Sequence, residues 1–141
     1  MFGKKKRDSS KEGLDTACLL YQAALSNDRD LVLSLITGPE TTDNGLAKAL
    51  LLFWGIASEV PTVRAKLAEV TEQVPPQIQP AFRTSLTVID TGNQHAFRPE
   101  TALAQQTFIA VIVKVIADDP QGRELMQDVT SYGRSQLRSR G

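Results

Sequence analysis

The sequence predicts an all-α protein: a compact bundle of six or seven helices with short connections and basic tails at both ends. Three observations predict it. Apolar residues recur at steps of three and four along most of the chain. The breaks between these runs are short clusters of Gly, Pro, Asp and Asn, which cap and end helices. A composition of 41% hydrophobic and 23% charged residues is that of a chain folding around a core, and 141 residues suffice for one ordinary domain. The organisation read from the chain is a basic tail at 1–12, one helical domain at 13–132 with a proline-rich connector at 75–80, and a basic tail at 133–141.

Leu14, Cys18, Tyr21 and Leu25 form the stripe of a first helix, which Gly13 or Asp15 is placed to begin. Asn27 and Asp28 break the run and supply an N-cap for a second, short helix carrying Leu31, Val32, Leu35 and Ile36, which Gly38-Pro39 stops. The segment Ala23-Ala24-Leu25-Ser26-Asn27-Asp28, with the apolar pairs at 31–32 and 35–36, resembles the helix-turn-helix of an ankyrin repeat. That family's Thr-Pro-Leu-His opening is missing, and no copy follows about 33 residues downstream, so the segment is read as one generic helical hairpin.

A polar link, Thr41 to Gly45, precedes Leu46–Ala57, a helix apolar on almost every side and therefore expected to be central or to contribute to a self-association surface. Pro61 starts the next helix, whose stripe is Val63, Leu67, Val70 and Val74, with Arg64, Lys66, Glu69 and Glu72 on its wet side. Three prolines at 75, 76 and 80 then make a stiff connector, because a proline inside a helix removes a donor and clashes with the turn before it, with Pro80 suited to the first turn of the next helix. Phe82, Leu86 and Ile89 follow as a further stripe ended by Gly92. The β-branched run Phe108–Ala117 carries strand propensity. It continues without a breaker from Ala102-Leu103-Ala104, however, so a single helix from Pro99 to Ala117 accounts for both halves and is the second central helix. Asp119-Pro120 caps a last helix bearing Leu125, Val129 and Tyr132.

The formal net charge is zero, yet the charges are sorted. Lys4, Lys5, Lys6, Arg7 and Lys11 stand against one acid in residues 1–11, and Arg134, Arg138 and Arg140 stand against none in 129–141; the stretch 12–128 holds 15 acids and 8 bases. These eight cations are the candidate contacts for an anionic surface, either a membrane or, weakly and without sequence preference, a nucleic acid. No run reaches the roughly 18 apolar residues that span a bilayer, and polar residues follow the basic N-terminus where a signal peptide is apolar. The expectation is a cytoplasmic protein with no transmembrane segment.

Chemistry has few footholds. His95 and Cys18 are the sole imidazole and thiol, too few for a zinc site of three His/Cys ligands in one chain, and no phosphate-binding glycine loop or nucleophile elbow occurs. Neither metal nor cofactor is assigned. The densest polar cluster is the loop at 90–95, where Asp90 could orient His95 as a general base with Asn93 beside it; the same residues also make an ordinary helix C-cap and turn. Cys18, on the first stripe, is read as core. Trp54 is read as core, or as an interface anchor should it be partly exposed. The functional reading is a non-catalytic helical interaction module or accessory subunit, its body binding a protein partner or a second copy of itself and its tails contacting an anionic surface. The alternatives are a weak nucleic-acid-associated factor and a small enzyme using the 90–95 loop.

Overall fold

In a computed structural model, the backbone is described for residues 2–39 and 41–140 and the side chains for residues 12–39 and 41–131. The described residues form seven α-helices: α1 (Phe2–Leu25), α2 (Arg29–Thr37), α3 (Asp43–Glu59), α4 (Pro61–Thr71), α5 (Gln79–Thr91), α6 (Ala102–Asp118) and α7 (Pro120–Arg140), with one 3₁₀ turn at Gln94–Ala96. No strand occurs among the described residues, and Phe108–Ala117 is helical. The uninterrupted approach from residue 102 therefore decides the conformation over the β-branched run.

The connections are built as their residues suggest. Asn27 takes the left-handed conformation (φ 58°) after α1, and the Asp28 N–H reaches back to the Ala23 carbonyl at 3.1 Å, which closes the helix end in a Schellman turn. Asp28 then turns round to cap α2, its Oδ1 accepting from the Leu31 N–H at 3.0 Å. Thr42 caps α3 by accepting from the Gly45 N–H at 2.9 Å, and Thr101 caps α6 by accepting from the Ala104 N–H at 3.0 Å. Helix α6 thus begins at Ala102, three residues after the proline expected to start it, because the threonine hydroxyl supplies the cap. Pro61 and Pro80 sit in the first turns of α4 and α5, where no backbone donor is lost. Gly92, at φ 75°, closes α5 with its N–H on the Val88 carbonyl at 2.7 Å.

Helix α6 is the axis of the bundle and touches every other helix. Its buried face carries Phe108, Ile109, Ile112, Val113 and Ile116. Phe82 of α5 meets Phe108 edge-on at 5.0 Å between ring centroids, a geometry that aligns ring edge with ring face. Helix α3 is the second central element, although Leu51 and Gly55 remain exposed, so its apolar residues are not buried on every side. Its main neighbour is α1. Gly13 lies within α1, contrary to the expectation that it or Asp15 starts the helix. It is buried where α1 crosses α3, and a Cβ there would stand 2.4 Å from that of Lys48. The glycine is a point of close approach. Glu12 fastens the same crossing, its carboxylate accepting from the Thr42 hydroxyl and from Asn44 Nδ2; those two bonds hold its pKa below the usual value.

Candidate functional site: an apolar groove along α6

One face of α6 is left open. Leu103, Thr107, Val111, Lys114 and Asp118 follow one another at steps of four, four, three and four, with Ala110 three beyond Thr107 and four before Lys114, so they lie on one side of the helix, and together they floor a groove of about 660 Å³. Ala24 and the turn at Asn27 to Arg29 form one wall with Val32 and Leu33 of α2; Lys66 and Val70 of α4 form the other. Leu103 is 65% exposed and Leu33 38%. Val70, Ala110 and Val111 are half-buried against the core, and Ala24 and Val32 are buried in it.

The groove has a polar end. Lys114 Nζ donates to Asn27 Oδ1, which ties α6 to the α1–α2 turn, and to Asp118 Oδ1 at 2.9 Å one turn further along α6. Across the groove, Lys66 pairs with Glu69 at 2.8 Å. Its pKa is raised, first by the hydrogen bond and charge of Glu69 and to a smaller degree by the charge of Asp118. Three cations, Arg29, Lys66 and Lys114, thus line the groove against two carboxylates, Asp28 and Asp118. One of those carboxylates is spent on the α2 cap and the other on Lys114.

The residues singled out from sequence lie elsewhere. The side chains of Lys4, Lys5, Lys6, Arg7, Lys11, Arg134, Arg138 and Arg140 lie outside the described residues, as does that of Tyr132. Trp54 is a core residue, 6% exposed, with its ring edge-on to Phe97 at 5.1 Å; the partial exposure an interface anchor needs is not there. Asp90 is turned to Arg64 and not to His95: its two carboxylate oxygens accept from Arg64 Nε at 3.0 Å and Nη2 at 2.7 Å. This fork joins α4 to α5 and holds the Asp90 pKa down and that of Arg64 up. Asn93 Oδ1 accepts from the His95 N–H at 3.1 Å and caps the 3₁₀ turn, and His95 itself is exposed. The loop is therefore built as a helix C-cap followed by a short turn. Cys18 is half-buried beside a smaller cleft of about 290 Å³ shared with Tyr21, Gln127 and Thr130. Among the described residues, no group of three or more His, Cys, Asp or Glu side chains converges in a way that could hold a metal ion.

The sequence reading missed the groove. Its signal was the polar residues Thr107, Lys114 and Asp118 at steps of seven and four on a single face of a helix whose other polar residues are Gln105 and Gln106. A chain read as a central helix does not show which of its sides the neighbours leave bare.

No protein-family model, no curated protein and no solved structure matches this chain. Among the described residues no single helix is long and apolar enough to cross a membrane. Helices α3 and α4 reach that composition only as a pair, and they bend by 109° at their junction.

Proposed function

We propose that this protein is a non-catalytic helical interaction module or accessory subunit that binds a protein partner in the groove along α6. One observation carries the reading. The bundle has buried most of its apolar supply in one continuous core, yet its central helix presents an exposed Leu103 and half-buried Ala110 and Val111 to a groove that Leu33 and Val70 flank. Solvent-facing leucine at the rim of an apolar groove is costly to leave wet and is the material from which interface cores are made. The basic segments of the chain, eight cations at its two ends, would add attraction to an anionic surface and place the bound partner there.

Affinity purification from native extract tests this with the native chain and two variants at exposed leucines. Leu103→Asp puts a charge in the groove; Leu19→Asp puts the same charge on α1, outside it. Both sites are solvent-exposed, so the fold is expected to survive each change. The expected result is a specific partner held by the native chain and by Leu19→Asp and lost by Leu103→Asp. Equal recovery with both variants, or a strictly monomeric chain with no specific partner, would overturn the reading.

A further inference from the structure

We infer that Asn44 is a site of spontaneous deamidation, that the first turn of α3 holds the reaction back, and that its product opens the clasp between α1 and α3. The chain has three asparagines, Asn27, Asn44 and Asn93, and only Asn44 is followed by glycine. In this reaction the backbone nitrogen of the next residue attacks the asparagine Cγ. A next residue without a Cβ leaves that nitrogen least hindered and its backbone freest to turn. Base removes the Gly45 N–H proton, a bond forms between that nitrogen and Cγ of Asn44, and the Cγ–Nδ2 bond breaks with loss of ammonia. Water then opens the cyclic imide at either carbonyl. The sum is asparagine and water giving ammonia and either aspartate or the β-linked isoaspartate, with nothing oxidised or reduced.

The structure supplies both the restraint and the consequence. Asn44 is solvent-exposed in the first turn of α3, where N–H groups have no carbonyl of their own helix to bond. The Gly45 N–H is held instead by Thr42 Oγ1 at 2.9 Å. The side-chain amide is held by Glu12, with Nδ2 donating to Oε1 at 3.2 Å. Both bonds must open before nitrogen and Cγ can meet, so the rate follows the open population of this one turn. Gly45 is kept by packing, since a Cβ there would stand 2.7 Å from Thr16 Oγ1 of α1. The glycine that admits α1 is thus the one that leaves Asn44 open to attack. Aspartate at this position loses the Nδ2 donor and sets its carboxylate against that of Glu12, and like charges so close repel. Isoaspartate lengthens the main chain by one methylene in the turn that Thr42 caps.

The test is incubation of the full-length protein in mildly alkaline buffer for several weeks, followed by peptide mass mapping of the three asparagines. Asn44 is expected to convert first, to both isomers. Thr42→Val, checked for native helicity, removes the cap and is expected to speed conversion at Asn44 about fivefold while leaving Asn27 and Asn93 unchanged. Those two sites are the safeguard, because a general loosening of the fold would speed all three. Asn44→Asp is expected to lower the melting temperature by about 3 °C in the native background. Beside Glu12→Gln, which removes the opposing charge, the same change is expected to lower it by less than about 1 °C. Earlier conversion at Asn27 or Asn93, or the same rate at Asn44 with and without the Thr42 hydroxyl, would overturn the inference. So would acceleration at all three sites, or an effect of Asn44→Asp that is the same with and without the Glu12 charge.

Discussion

Gly13 and Gly55 show at the residue scale how far one substitution depends on what surrounds it. Both are glycines inside α-helices, where alanine is favoured by up to about 1 kcal/mol on backbone grounds alone. Gly55 of α3 is exposed, and a Cβ there meets nothing within 4 Å. Gly13 is buried at the crossing of α1 and α3, and a Cβ there would stand 2.4 Å from Lys48 Cβ, an atom fixed to the α3 backbone. Relief therefore requires the two helices to separate, against the hold of Glu12 on Thr42 and Asn44. Gly55→Ala is expected to stabilise the protein by about 0.5–1 kcal/mol, and Gly13→Ala to destabilise it by about 1–3 kcal/mol. Urea denaturation followed by circular dichroism reads both, and two changes of the same sign would show that the α1–α3 crossing yields to an added methyl group.

At the element scale, Asp119 does three jobs between α6 and α7. Its Oδ1 accepts from the Gln121 and Gly122 N–H groups at 2.9 Å each, capping α7, and its Oδ2 accepts from the Thr62 hydroxyl of α4. The Thr62 bond is the largest cause of its lowered pKa; the two backbone bonds and the charge of Arg123 act in the same direction against the opposing effect of burial. A carboxyl whose folded pKa lies below its unfolded one stabilises the fold above the unfolded value and loses that contribution as the pH falls through the folded value. Stability is thus expected to be level near neutrality and to decline below about pH 4. Asp119→Ala is expected to cost about 1 kcal/mol at pH 7 and to make the acid decline shallower, as thermal melts at pH 7 and pH 3 would show; an unchanged decline would mean that Asp119 is not a source of it. This cap was legible in the Asp-Pro pair, as were the Asp28 turn, the first-turn prolines of α4 and α5 and the Gly92 stop, because each depends on neighbours within a few residues. The true course of α1 was not legible. A glycine at a crossing and a glycine at a helix start look alike until the second helix is in place. Met126, fully buried, was likewise passed over in favour of Leu125, which is only half-buried: a one-residue rotation of α7 that only its packing against the bundle decides.

On the scale of the whole molecule, the arrangement of charge was legible in the sequence and the arrangement of bare surface was not, for a physical reason. Charge is carried by residues wherever they go, whereas the α6 groove exists only because its neighbours leave Leu103 exposed and Val111 half-covered. On the proposed reading the two features would make separable contributions to binding: the groove would offer apolar area, insensitive to salt, and the terminal cations an attraction that salt screens. Four of those cations, Lys4 to Arg7, are adjacent in sequence and supply about 1 kcal/mol each near an anionic bilayer, too little to hold a lone chain but enough to bias where a complex resides. Changing Lys4, Lys5 and Lys6 together to Ala should therefore remove most of the sedimentation of the protein with phosphatidylserine-containing vesicles at low salt. It should leave recovery of the groove partner in physiological salt unchanged. Leu103→Asp should do the reverse, abolishing the partner and sparing the vesicles. Loss of both activities in either variant would mean that the terminal cations and the groove form one binding surface, and equal vesicle binding by all three proteins would remove the terminal cations from the account.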